Sequence, residues 1–165
     1  MSRARKLFIL GGLALCIWGM GYGLYYAVFT EHQTLDQIGG ALAGSFMRAA
    51  ERNMPESRAA LDVYAASNYV YVRQVDAHGH WIALGMLMII LGIAFDRVEF
   101  GERSQYLLAL ALFAGSVIFP FGVLLETWNH GLAPKAIAAA GAALVILSLA
   151  GIAAGFYRAP KSHSE

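Results

Sequence analysis

The sequence has one cysteine and few charged residues, and each shortage excludes a class of protein. A lone thiol, Cys16, cannot close a disulfide within the chain or supply the CxxCH motif that attaches a c-type haem. Charged residues make up 14% of the chain and hydrophobic residues 58%, which is far from the average soluble protein. The formal net charge of +1 leaves no basic surface for nucleic acid. These shortages together indicate a membrane protein.

Four long apolar runs predict four transmembrane helices. Residues 7–29, 106–125 and 136–157 contain no charged side chain, and a fourth run covers residues 78–95. Each is close to the roughly 20 residues that a helix needs to cross the hydrocarbon core. Unbroken apolar runs favour helices over barrel strands, which alternate every second residue. We therefore predict an all-α fold, an integral membrane four-helix bundle in which residues 1–165 form a single membrane domain. The first run lacks a cleavage site and is expected to be retained.

The segment between the first two spans, residues 30–77, is too long for a plain turn and predicts an extra helical outer insert. The sequence TLDQ, residues 34–37, has the form of a capping box for a first helix. Asn53 is expected to cap a second helix with Pro55 in its first turn, and this helix runs on into the next span. Two sets of residues share helical faces: Leu35, Ile38, Leu42, Phe46 and Ala49, and Leu61, Tyr64, Ala65, Asn68, Tyr71, Val72 and Val75.

The positions of lysine and arginine predict the orientation in the membrane. With four spans, the N-terminus, the loop of residues 96–103 and the C-terminus share one side, and these segments carry Arg3, Arg5, Lys6, Arg97, Arg103, Arg158 and Lys161. The positive-inside rule makes that side the cytoplasm. We predict a multi-pass protein of a bacterial-type inner (plasma) membrane, with both termini cytoplasmic and the insert outside. The last residues, 159–165, have the composition of a disordered tail.

Histidines gather at the predicted outer boundary of the membrane. His32, His78, His80 and His130 fall there, and Glu126 ends the third span at the same level. Ionisable groups in a membrane segment suggest a functional site, although polar residues that cap helix ends at the interface remain an alternative. At about 100° per residue, positions 78 and 80 point some 200° apart, so one helix cannot aim both histidines at one ligand.

Small residues follow His78 along its face of the helix. Gly85 and Gly92 lie on that face, whereas the face of His80 carries bulky leucines. A planar macrocycle along a helix needs small neighbours, and an imidazole supplies an axial bond. The pattern predicts a non-covalent haem with His78 as axial ligand and His80 as a weaker candidate. Arg73 is available for the propionates, and Gln74 or Glu126 for the second imidazole nitrogen.

A bound zinc or copper ion is the alternative cofactor. His78 with His130, His32 or Glu126 would form its ligand set. No pair of these residues has a dedicated ligand spacing such as HxxxH, so this pattern is weaker than the one for haem.

The stretch AHGHWIALGMLMIILGIAF, residues 77–95, resembles two related groups of proteins. It is similar to the second helix of small four-helix membrane proteins related to the haem-binding part of haem-copper oxidase subunit I, and to the corresponding helix of styrene oxide isomerase. In both, a histidine is followed seven residues later by glycine, as His78 is by Gly85. The resemblance implies haem b on His78, with the iron acting as a Lewis acid on an epoxide, and a trimer with haem between subunits. Leu84 departs from the isomerase, which has asparagine there, so a shared haem site is more credible than a shared substrate.

Several functions therefore remain open from the sequence. A haem protein with an open sixth position would be an isomerase-like enzyme or a binder of a small hydrophobic ligand, and one with two axial histidines would be an electron carrier. The other alternative is a non-catalytic structural or assembly subunit of a larger membrane complex, with the outer helices as its docking surface. No catalytic residue is assigned. The expected partners are the lipid bilayer and further copies of the chain.

Overall fold

In the computed structural model the described part of the chain, residues 1–158 apart from the side chain of Asp96, is almost entirely helical. The predicted disordered tail lies outside the described residues. The helices are α1 (Arg3–Phe29), α2 (Glu31–Ala50), α3 (Met54–Ala94), α4 (Glu102–Leu125) and α5 (Leu132–Arg158), with one 3₁₀ turn at Phe95–Arg97. Four of them, α1, α3, α4 and α5, are long and apolar enough to cross a membrane. The predicted all-α, multi-pass membrane fold is confirmed.

Helices α1 and α2 form a nearly continuous rod that runs antiparallel to α3. Only Thr30 separates them, and the helical hydrogen bonding continues through it. Thr30 N–H donates to the main-chain carbonyl of Tyr26 (2.9 Å), and Thr34 N–H donates to the main-chain carbonyl of Thr30 (3.1 Å). The predicted capping box at residues 34–37 is therefore wrong. Thr34 lies inside α2, and its hydroxyl donates to the Thr30 carbonyl (3.1 Å) instead of capping a new helix.

A tight turn joins α2 to α3 at the far end of this rod. Arg52 has a positive φ of 61°, and its N–H donates to the Ala49 carbonyl (2.9 Å) while Asn53 N–H donates to the Arg48 carbonyl (2.8 Å). This pair of bonds is the Schellman arrangement that closes a helix C-terminus. Asn53 then caps α3 as predicted, because its side chain accepts from Glu56 N–H (3.4 Å), and a proline stands in the first turn.

Helix α3 is too long to lie wholly in a bilayer. Its 41 residues span about 60 Å at 1.5 Å per residue, about twice the thickness of the hydrocarbon core. The apolar run begins near residue 78, so residues 54–77 and the antiparallel α2 extend beyond the membrane. The predicted helical insert and its continuation into the next span are both confirmed. We call residues 31–77 the protruding hairpin.

The membrane half is a bundle in which α1 packs on α3 and α4 packs on α5. Its core is apolar, and the largest fully buried side chains include Phe8, Met88, Phe95, Leu112 and Ile152. Glycine lets the helices approach closely: a Cβ atom on Gly115 would lie 2.9 Å from the Gly141 carbonyl oxygen. Because lipid tails are as apolar as these side chains, such close packing is a main source of helix association in a membrane.

Candidate functional site

A buried carboxylate ends α4 at the base of the protruding hairpin. Glu126 is only 6% exposed and lies against two residues of α3 that are one turn apart. Its Oε2 atom accepts a hydrogen bond from the Tyr69 hydroxyl (2.5 Å) and lies 3.2 Å from Nε of Arg73. A carboxylate taken out of water needs such partners, because unpaired burial of a charge is very costly. These contacts fasten α4 to α3.

Three further contacts extend this group. The Arg73 guanidinium stacks over the Tyr69 ring at 4.9 Å and lies 3.6 Å from the Asp76 carboxylate. The His130 ring lies 5.2 Å from the Tyr69 ring, centroid to centroid. We call Tyr69, Arg73, Asp76, Glu126 and His130 the Glu126 cluster. It joins the lower part of the protruding hairpin to α4 and to the loop that follows α4.

The sequence predicted part of this cluster. Glu126 and His130 were expected at the outer membrane boundary and Arg73 was predicted to bind haem propionates, and the structure places all three in the cluster. Tyr69 and Asp76 were missed, although their spacing of four and three residues from Arg73 puts them on its face of α3. The structure does not bring His78 to the cluster, because that residue lies on the face of α3 that contacts α1.

The imidazole of His78 is partly buried against α1. A Cβ atom built on Gly23 would lie 3.0 Å from Cδ2 of His78 and 3.5 Å from Nε2. Nδ1 lies 3.1 Å from the main-chain carbonyl oxygen of Gln74, whose side chain accepts a hydrogen bond from the Tyr22 hydroxyl. Of the two partners predicted for the imidazole, Gln74 is the one in contact. When Nδ1 carries the proton, Nε2 is left as the nitrogen available to a metal.

The glycines that follow His78 are occupied by helix packing. A Cβ on Gly85 would lie 2.7 Å from the Gly12 carbonyl oxygen and 2.8 Å from Sγ of Cys16, and one on Gly92 would lie 3.0 Å from Cβ of Phe8. The space that these glycines leave is thus filled by α1. A macrocycle does not fit between α1 and α3 along this face of the chain as folded. The packing of α1 on this face does not assist haem ligation by His78, which stays a prediction.

The other histidines lie apart from His78. His80 points to α4, as its 200° offset predicts, with its ring 4.8 Å from the Phe119 ring and Nδ1 2.6 Å from the Asp76 carbonyl oxygen. His32 is exposed on α2, 3.4 Å from Asp36. Among the side chains that the structure describes, which do not include Asp96, no three of His, Cys, Asp or Glu lie close enough to hold a metal ion. The zinc or copper alternative stays a prediction without an assembled ligand set.

An apolar groove lies between α1, α3 and α4 inside the membrane region. It has a volume of about 350 Å³ and is lined chiefly by aromatic side chains: Trp18, Trp81, Phe113 and Phe121. Trp18 and Phe121 are exposed on the bundle surface, so the groove opens toward lipid. Binding of a small hydrophobic ligand there stays a prediction.

One flank of the protruding hairpin is apolar and uncovered. Phe46 is 68% exposed and Leu61 is 43% exposed, and each belongs to one of the two helical faces that the spacing predicted. Residues with the same angular offset on two antiparallel helices lie on the same side of the pair. The flank, which we call the apolar flank, therefore combines residues of both helices: Leu35, Gly39, Ala43 and Phe46 of α2, and Met54, Leu61, Ala65 and Val72 of α3.

The opposite flank is different in character. Arg48 forms ion pairs there with Glu51 (3.2 Å) and Glu56 (3.1 Å), and Gln37 lies on the same side by helical spacing. The ion pairs of Arg48 thus lie on the flank opposite Phe46 and Leu61, where Val63 is also exposed (45%). No protein-family model, curated protein or solved structure matches this chain.

Proposed function

We propose that this protein is a non-catalytic membrane subunit that assembles through its protruding hairpin, and that the partner of the apolar flank is a second copy of the chain. The observation that carries the proposal is the exposure of Leu35, Phe46, Met54 and Leu61 on one side of two paired helices. Clustered apolar side chains that water can reach are typical of an interaction surface. The predicted orientation, with the hairpin on the outer face of a bacterial-type inner membrane, belongs to the same proposal.

The hairpin lacks an apolar core of its own. Its centre is the contact between Ser45 and Ser57, whose hydroxyl donates to the Ser45 carbonyl (2.9 Å), and both serines are buried. A pair of helices that buries serines gains little from the hydrophobic effect, which scales with the apolar area removed from water. A second hairpin against the apolar flank would complete a four-helix bundle with an apolar centre.

A second copy suits this surface because the membrane aligns the two chains. Copies inserted in the same direction hold their hairpins at the same height above the bilayer. A two-fold axis along the membrane normal then brings the same flank of each chain face to face, which is the self-complementary geometry of a symmetric dimer. One charged residue, Arg58, lies on this side of α3 between Met54 and Leu61 by helical spacing, and its long side chain lets the guanidinium reach water at the edge of the contact. Continuous α3 would connect this contact rigidly to the membrane bundle.

Exchanging single apolar residues for aspartate tests the proposal. Leu61→Asp places a carboxylate on the apolar flank of both copies, whereas Val63→Asp makes a similar change at a residue of similar exposure (45%, against 43% for Leu61) on the other flank. We expect wild type and Val63→Asp to have the mass of two chains by light scattering in detergent. The Leu61→Asp dimer should dissociate at protein concentrations about tenfold higher than the wild-type dimer, because burying a carboxylate without a partner is strongly unfavourable.

Three results would contradict this. Wild-type protein that is monomeric at all concentrations removes the assembly proposal. Equal dissociation of the two variants places the contact elsewhere. A mass of three chains would agree instead with the trimer that the isomerase resemblance implies.

Haem ligation by His78 is the second candidate function, and one contact favours it. The Gln74 carbonyl holds Nδ1, which leaves Nε2 of His78 available as a ligand, as is usual for metal-binding histidines. We expect a haem protein to show a Soret band after purification, and His78→Ala to lose that band while His130→Ala retains it. The high- or low-spin spectrum would then separate an open iron site from a bis-histidine electron carrier. Colourless wild-type protein after haem supplementation would remove this candidate.

A further inference from the structure

The end of the bundle opposite the protruding hairpin has a charged cleft. It lies between the start of α1 and the first turn of α4, has a volume of about 380 Å³ and is lined by Arg3, Glu102, Arg103 and Tyr106. All four side chains are exposed. The cleft is separate from the Glu126 cluster and from the apolar flank, so a ligand bound in it is independent of the proposed function.

The cleft offers two positive charges and one negative charge to a ligand. None of Arg3, Glu102 and Arg103 forms an ion pair with another residue in the described part of the chain. Guanidinium groups bind phosphate oxygens through paired N–H donors, whereas a carboxylate accepts hydrogen bonds and carries the charge that an ammonium group requires. A ligand with a phosphate and a nearby primary ammonium group would satisfy all three side chains.

The position of the cleft along the membrane normal indicates that its ligand is a lipid. Tyr106 begins the apolar run of α4, and tyrosine at such a position is typical of the level of the lipid headgroups. Leu107 and Leu110 are exposed beyond it, at 54% and 43%, and so lie along the path of an acyl chain. We propose that this cleft binds the headgroup of a phospholipid of the phosphatidylethanolamine class, with the arginines on the phosphate and Glu102 on the ammonium group.

Native mass spectrometry of the full-length, delipidated protein in detergent tests this inference. Phosphatidylethanolamine, phosphatidylcholine and phosphatidylglycerol with identical acyl chains are the probes. Phosphatidylcholine lacks ammonium N–H donors, and phosphatidylglycerol has no cationic group. We expect the bound fraction to be about threefold higher for phosphatidylethanolamine, in the range of one exposed ion pair. Glu102→Gln should reduce it to the phosphatidylcholine level, and Arg103→Ala should lower binding of all three lipids.

Two controls make the result decisive. Glu99→Gln removes a carboxylate from the same end of the bundle but outside the cleft lining, and should leave the preference unchanged. Free phosphoethanolamine should not compete with the lipid at equal concentration, because it has no acyl chains. Equal binding of the three lipids, or a preference that survives Glu102→Gln, overturns the proposal. Full competition by free phosphoethanolamine overturns the lipid as the source of the headgroup.

Discussion

Replacing Glu126 by alanine lowers the stability of the purified protein by about 3 kcal/mol, which corresponds to a fall in melting temperature of about 6–12 °C for a chain of this length. The side chain of Glu126 is 8% exposed and that of Arg73 is 32% exposed. Loss of the carboxylate leaves Arg73 with Asp76, at 3.6 Å, as its one carboxylate among the described residues, and leaves the Tyr69 hydroxyl without its acceptor. Because Arg73 keeps some contact with water, the loss falls at the lower end of the range for buried pairs.

A matched control separates this effect from the simple loss of a charge. Glu51→Ala removes a carboxylate that is 56% exposed and pairs with Arg48 at 3.2 Å, and should change the stability by less than about 1 kcal/mol. Glu126→Gln keeps an acceptor for Tyr69 and should fall between the two. Thermal unfolding of the three variants and wild type in one detergent makes the comparison. If Glu126→Ala has the same melting temperature as Glu51→Ala, then the Glu126 cluster does not stabilise the contact between the protruding hairpin and α4.

The membrane helices could be predicted because their signal is local. A run of about 20 apolar residues without charge is long enough to cross a bilayer, and a helix pairs all of its backbone groups there. Each of the four runs therefore predicts a helix without any information about its neighbours. Helix ends depend on weaker signals. Thr34 has the sequence of a cap, but the backbone from Tyr26 onward stays helical through Thr30, so the cap was not needed. Asn53 does cap α3, because the positive φ of Arg52, the residue before it, ends the helical path of α2.

The candidate site was predictable only in part because periodicity does not identify the neighbour of a face. It placed His78 with Gly85, and His80 on another side, and both statements agree with the structure. It did not show that α1 would cover the first face. Glycine that makes room for a cofactor and glycine that admits a second helix have the same pattern in a sequence. Glu126 and His130 were grouped by depth in the membrane, which is set by topology rather than by helical phase, whereas Arg73 was assigned to haem propionates.

The apolar flank also shows that helical spacing does not identify what covers a face. The faces that include Phe46 and Leu61 were predicted from spacing, and spacing was right about which residues are apolar together. Burial depends on what covers them, and the described residues of one chain leave both exposed. The exposure of these two apolar faces in a single chain is the reason for placing a second copy there.

The close contact between α1 and α3 leads to the second large effect. Gly85→Ala should destabilise the protein by about 1–3 kcal/mol, the usual cost of overpacking. The added Cβ would lie 2.7 Å from the main-chain oxygen of Gly12, and main-chain atoms cannot move aside as a flexible side chain can. Gly79→Ala is the control in the same helix, because its Cβ would meet no atom within 4 Å. It should gain up to about 1 kcal/mol, since alanine has the higher helix propensity.

Thermal unfolding of the two alanine variants beside wild type also bears on the haem prediction. If Gly85→Ala is less stable and Gly79→Ala is not, then α1 occupies the face of His78 in the folded protein, and a macrocycle along that face would have to displace it. If both variants are as stable as wild type, α1 does not approach α3 this closely. The space beside Gly85 would then be open, as a planar ligand on His78 requires. The same pair of variants, measured with and without added haem, therefore distinguishes glycine used for helix packing from glycine used for a cofactor.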